Sequence, residues 1–162
     1  MTPAFELAQL NIARPRAGLD DPLMAGFMAN LDRINALAEA SPGFVWRLQD
    51  ESGNATGLAQ PFGADIIVNL TVWQDVEALR RYAYKSEHAD FVRRRAAWFG
   101  ELAGPHLVLW WVPAGHRPTL AEARQRLDRL AAAGPSPEAF TFARAFAPDG
   151  TPRRRGVERH VA

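Results

Sequence analysis

The chain has 162 residues, 48% of them hydrophobic, and its 19 basic and 18 acidic side chains leave a formal charge of +1. That is enough chain for one core without disulfides or a structural metal, and a near-neutral balance offers no field for nucleic acid or an anionic membrane. The absence of cysteine excludes disulfide frameworks, thiolate metal sites and cysteine nucleophiles, and it fits a reducing compartment.

No apolar run approaches the roughly 20 residues that cross a bilayer, and Met1–Gln9 lacks a signal-peptide pattern, so the expectation is a cytoplasmic protein. Charge is uneven along the chain. Five arginines against Asp149 and Glu158 leave residues 144–162 basic, and the body mildly acidic. The composition predicts one domain over 1–147 and a basic, flexible tail over 148–162.

Residues 5–13 alternate, with Phe5, Leu7, Gln9 and Asn11 on one face and Ala8, Leu10 and Ile12 on the other, which predicts a first strand. Asp20 or Asp21 before Pro22 caps a helix over 22–40, carried by Leu23, Phe27, Leu31, Ile34 and Ala38. Pro42-Gly43 ends it, and FVWRL at 44–48 reads as a second strand. A turn-rich stretch at 50–57 leads to the strongest strand signal, DIIVNLTVW at 65–73. Gln74-Asp75 then caps a helix that restarts at Ser86 and runs through Phe99. Pro105 precedes HLVLWWV at 106–112, a buried fourth strand. The resulting β-α-β-β-α-β order is the ferredoxin-like plan of an α+β fold, an antiparallel sheet with two helices on one face. Thr119 caps a C-terminal helix with the stripe Leu120, Ala123, Leu127 and Leu130, ended by Gly134-Pro135. AFTFARAF at 139–146 alternates again and offers an extra edge strand.

Polar residues inside apolar elements mark the candidate site. On the third strand Ile66, Val68, Leu70 and Val72 form an apolar face, while Ile67, Asn69, Thr71 and Trp73 form a mixed one. Asparagine is depleted in strand interiors. A buried amide left unpaired costs about 1–3 kcal/mol, so Asn69 either has a protein partner or faces a cavity holding water or ligand. Gln9 and Asn11 repeat the pattern on the first strand. If the two mixed faces coincide, the sheet presents an amide-rich surface walled by tryptophan; the alternative is a set of amides bonded to one another within a dimer interface.

His88, Phe91, Val92, Arg95, Trp98 and Phe99 share a helical stripe that carries one imidazole and one guanidinium. One reading turns His88 and Arg95 toward the polar face of the sheet, with Tyr82 or Tyr84 nearby. The other leaves Arg95 extending past the rim and His88 satisfied within the protein. His106 and His116 flank the fourth strand and could rim a pocket, but their spacing supports no metal site. Trp110 and Trp111 point to opposite faces of their strand, so one needs cover on the face away from the first two helices, and a partner subunit is the expected cover. No G-x-G-x-x-G, Walker A, G-x-S-x-G or H-E-x-x-H motif occurs.

The segments LAQLNIA, DDPLMAGFMANLDRINALAEASPGFVWRL, VNLTVW and PHLVLWWVPAGHRPT resemble a bacterial family of unknown function in the dimeric α+β barrel superfamily, over about residues 5–147. The resemblance implies a homodimer with two ferredoxin-like sheets packed face to face. The superfamily includes cofactor-independent monooxygenases of antibiotic biosynthesis, similar here in an Asn and a Trp four residues apart, Asn69 and Trp73. By that resemblance His88, Asn69 and Arg95 are the catalytic candidates, as base and oxyanion donors. Asn11, Trp73, Tyr82, Phe91, Trp98 and Trp110 are the candidates for binding a small aromatic or phenolic molecule, with no cofactor and no metal. A second implied reading is haem binding or degradation using Asn11, Trp73 and His88 as axial ligand, although the interval from Trp73 to His88 is longer than that pattern has. A third is a non-catalytic small-molecule binding module.

Overall fold

The structure is a computed structural model that describes residues 4–49, 61–63, 65–85 and 93–153. Strand β1 (Phe5–Pro15) is followed by a 3-10 turn at Pro22–Met24, helix α1 (Ala25–Ala40), and strands β2 (Phe44–Arg47) and β3 (Ile67–Trp73). Helix α2 (Val76–Lys85), a short helix α3 (Arg95–Trp98), strands β4 (Phe99–Gly100) and β5 (Leu107–Pro113), and helix α4 (Leu120–Ala133) complete the order.

The helix caps act as the sequence predicts, but the helix expected to run from Ser86 through Phe99 ends at Trp98, because Phe99 pairs with Pro15 in β4, and its stretch 86–92 lies outside the described residues. Asp21 accepts from the Leu23 amide and Asp75 from the Ala78 amide, so each helical start satisfies one of its unpaired N–H groups. Thr119 accepts from the Glu122 amide, and Gly134 ends α4 at φ 75°, a conformation that glycine adopts without a side-chain clash. Gly43, at φ 84°, turns the chain from α1 into β2 so closely that an added Cβ would lie 2.5 Å from the Ala78 Cβ.

Strands β2-β3-β1-β5 form an antiparallel sheet in that spatial order, and β4 pairs with the end of β1 at Arg14 and Pro15. The fold is therefore α+β with the ferredoxin-like order. Register sets the chemistry of each face, because residues directly opposite across an antiparallel pair share a side. Asn11 faces Asn69, Gln9 faces Thr71 and Leu7 faces Trp73, while Arg47 extends the Gln9–Thr71 row onto β2. The two mixed faces thus coincide beneath α1 and α2.

The other face is apolar. Ala8, Leu10, Ile12, Val68, Leu70, Val72, Val108, Trp110 and Val112 pack with Ala123, Leu127 and Leu130 of α4 in one cluster. Here the structure corrects the sequence argument: Trp110 is fully buried within a single chain, covered by the protein's own α4 rather than by a partner subunit. The stripe on α4 was legible, but a stripe does not say which surface it meets. Trp110 Nε1 donates to Glu122 Oε2 (2.9 Å), which fixes the helix start over the strand.

The extra edge strand expected at 139–146 meets the sheet through a single bridge to β5, in which Leu109 and Phe140 exchange backbone hydrogen bonds of 2.8 Å each; its other bridges, Ser136 with Ala139 and Phe146 with Pro152, are local. Residues 148–153, assigned by composition to a tail, fold back: the Arg153 amide donates to the Ala145 carbonyl and its guanidinium pairs with Glu77. Residues 154–162 lie outside the described residues. No helix among the described residues is long and apolar enough to cross a membrane.

Candidate functional site

The core beneath α1 and α2 is divided, unlike the continuous cluster on the α4 side. Leu7, Trp73, Val76, Leu79, Leu109 and Phe140 belong to one group, and Ala13, Met24, Phe27, Trp98 and Phe99 to another. Between them lies a cavity of about 350 Å3, near the lower end of the roughly 300–1,000 Å3 typical of small-molecule sites.

Its floor is the amide face of the sheet. Gln9 Nε2 donates to Thr71 Oγ1 (2.8 Å) and Asn69 Oδ1 (3.1 Å), and Asn11 Nδ2 donates to Gln9 Oε1 (2.8 Å) and, more weakly, to Asn69 Oδ1 (3.4 Å). Trp73 Nε1 donates to the same Thr71 hydroxyl at 2.9 Å. Gln9 and Thr71 are buried polar residues, and the network supplies the partners that burial demands. Asn69 contributes only its oxygen to these bonds and Asn11 only its nitrogen, so the Asn69 amide donors and the Asn11 acceptor stand outside the network, half-buried on the cavity floor.

The walls are aromatic and basic. Tyr82 stacks on Trp73 with ring centroids 5.0 Å apart, and its hydroxyl donates to the Ile34 carbonyl (3.2 Å). Burial pushes the Tyr82 phenol well above its ordinary pKa, with the Arg47 charge opposing, so it stays protonated. Arg95 lines the cavity from α3, its guanidinium 5.9 Å from the Phe99 ring centre. His106 stands at the mouth, and its pKa is lowered first by partial burial and then by the Arg95 charge, which favours the neutral imidazole.

Of the residues singled out from sequence, Asn11, Asn69, Trp73, Tyr82 and Arg95 line this one cavity. His88 and Phe91 lie outside the described residues. Two expectations are corrected. Trp98 packs against Phe27 at 6.0 Å between α1 and α3 rather than facing the cavity. Trp110 is on the opposite face of the sheet because its register partner, Ala8, is out of step with Gln9 and Leu7.

Arg47, Thr71 and Gln9 were not among the chosen site residues. Arg47 had a signal in the sequence, a charge inside the apolar run FVWRL. The irregular register between Phe44 and Trp46 hides its direction, because simple alternation fails across a bulge. His116, by contrast, bonds Glu122 Oε1 at 2.7 Å beside α4 and takes no part in the cavity. Among the described residues no cluster of His, Asp and Glu could hold a metal ion.

Residues 6–156 match the family described as Domain of unknown function (DUF3291). The chain belongs to the DUF3291 family. None of the curated proteins matches this DUF3291 chain. Its fold is similar to that of SnoaB, a cofactor-independent oxygenase from Streptomyces nogalater, at 21% identity and a TM-score of 0.46, covering 72% of this chain and 98% of that one. It is also similar to Rv0793 from Mycobacterium tuberculosis, at 12% identity and a TM-score of 0.47, with coverage of 70% and 99%. PA3566 from Pseudomonas aeruginosa gives 16% identity and a TM-score of 0.46, with coverage of 74% and 99%. None of these likenesses assigns a reaction to the DUF3291 chain.

Proposed function

We propose that the protein binds a small aromatic hydroxyl compound in this cavity and oxidises it as a cofactor-independent monooxygenase. The observation that carries the reading is the convergence on one cavity of the Asn69 amide, the Arg95 guanidinium, the His106 imidazole and the Trp73–Tyr82 stack. Neutral His106 takes the phenolic proton, and Asn69 and Arg95 stabilise the phenolate oxygen, a role commonly worth several kcal/mol. The electron-rich ring carbon para to that oxygen reduces dioxygen; one oxygen atom enters the ring as a carbonyl and the other leaves as water, so phenol and dioxygen give quinone and water. His88, proposed from sequence as the base, stays a second candidate, and Phe91 a candidate wall residue. Asn11 and Tyr82 hold the ring, and Trp73, fully buried, backs Tyr82.

Of the three residues that the haem reading uses, His88 lies outside the described residues. Trp73 is fully buried in the sheet layer, with its indole N–H bonded to Thr71. The homodimer implied by the family resemblance is proposed only through surfaces other than the one that α4 covers, and the mass in solution at micromolar concentration tests it.

Oxygen uptake with 1-naphthol, with quinone formation followed by absorbance, tests the reaction. The expected result is uptake that Asn69→Ala and Arg95→Gln each reduce about 10²-fold. Binding without oxygen uptake replaces the oxygenase with a binding module, and no binding removes the cavity as the site.

A further inference from the structure

One cavity residue has no task in the reaction above. Arg47 ends β2 on the row shared with Thr71 and Gln9, and only 10% of its side chain is exposed. Its Nε is buried and has no hydrogen-bond partner among the described residues. Its ion pair to Glu39 Oε1 is 3.6 Å long, beyond hydrogen-bond range, and Glu39 is itself half in water on α1. A guanidinium carries five donors and keeps its charge at any ordinary pH, so burying one without close acceptors is unfavourable. Among the described residues no Asp or Glu lines the cavity, whereas Arg95 adds a second positive charge.

We propose that the compound bound in this cavity carries a carboxylate, held by Arg47, at the end of the molecule away from its reacting hydroxyl. The inference rests on the proposed reading of the cavity as the substrate site. A carboxylate matches the planar fork of a guanidinium and takes two parallel N–H bonds from it. Position supports the split of tasks. Asn69 lies one strand across and two residues along from Arg47, about 8 Å in the backbone from strand spacing and rise. That separation suits a two-ring aromatic with a hydroxyl at one end and an acid at the other. The Arg47 charge acts on the Tyr82 phenol, which places the anion end beside the Trp73–Tyr82 stack, while His106 and Arg95 serve the hydroxyl end.

The test compares 5-hydroxy-2-naphthoic acid with 1-naphthol, which lacks only the carboxylate, by calorimetric titration of the full chain at neutral pH. The acid is expected to bind at least tenfold more tightly than 1-naphthol, and Arg47→Gln to bring its affinity down to that of 1-naphthol. Equal affinities for the unaltered protein overturn the carboxylate proposal while leaving the cavity reading in place, as does an advantage that survives in Arg47→Gln. Failure of both compounds to bind overturns the cavity reading and this proposal together. The comparison on the unaltered protein needs no variant, so poor folding of Arg47→Gln does not shield the proposal.

Discussion

Replacing Thr71 with valine removes one hydroxyl and almost no volume, and so isolates the polar network on the cavity floor. That hydroxyl accepts from two donors, Trp73 Nε1 at 2.9 Å and Gln9 Nε2 at 2.8 Å. Gln9 keeps a second acceptor in Asn69 Oδ1, so its share of the loss is small. The indole has no such reserve among the described hydrogen bonds, and Trp73 is fully buried. An unsatisfied buried donor costs about 1–3 kcal/mol, and with the weakened Gln9 contact the expected loss is about 2–3 kcal/mol. At about 2–4 °C per kcal/mol for a domain of this size, the melting temperature falls by about 4–12 °C. Urea unfolding followed by tryptophan fluorescence measures it, with an unchanged m-value showing that the unfolded state is the same. A loss under about 0.5 kcal/mol, the range of an ordinary surface substitution, refutes the claim that the hydroxyl holds the floor together.

Gly43→Ala is expected to destabilise by more than the about 1–2 kcal/mol of left-handed backbone alone, because the new methyl meets Ala78 as well; thermal unfolding checks it, and a neutral result contradicts the close turn. His106 adds a pH dependence. Its folded-state pKa lies below the ordinary value of about 6.5, so the unfolded chain binds more protons just below that pH. Its contribution is therefore fully present above about pH 6.5 and is lost as pH falls through the lowered folded-state value. Urea midpoints measured between about pH 5 and 7 should fall with acid more steeply in the unaltered protein than in His106→Gln, with Arg95→Gln in between because burial, the larger cause, remains. Equal slopes in all three proteins would sink that assignment.

Much of this site was legible as a pattern of period two. Asn69, Thr71 and Trp73 alternate with Val68, Leu70 and Val72, and the structure keeps the two sets on opposite faces. Gln9 and Asn11 could be matched to them because the strand order of a ferredoxin-like plan pairs β1 with β3. The helix caps were equally readable, since Asp21, Asp75 and Thr119 act within three residues.

What was not legible depends on contacts distant in sequence. The neighbours of Trp110 are set by where α4 docks, which no local pattern encodes. All four residues of β2 are half-buried, so neither alternation nor composition shows that Arg47 turns inward. The segment 139–146 has strand-like alternation, yet after Phe140 it leaves the β5 edge, and Phe142, Ala145 and Phe146 pack into the core around Trp73.

The placement of α4 has a consequence for assembly. Leu127 and Leu130 fill a surface that a second sheet could otherwise occupy, so the helix and a facing sheet compete for the same ground. Contacts between a helix and a sheet are blind to whether one chain or two supply them, and an exchanged pair, each helix lying on its neighbour, would preserve every one. The stretch 114–119, which joins β5 to α4 and contains Pro118, is then the part of the chain that decides between self-closure and exchange. Shortening it favours the exchanged pair without altering a single residue of the core.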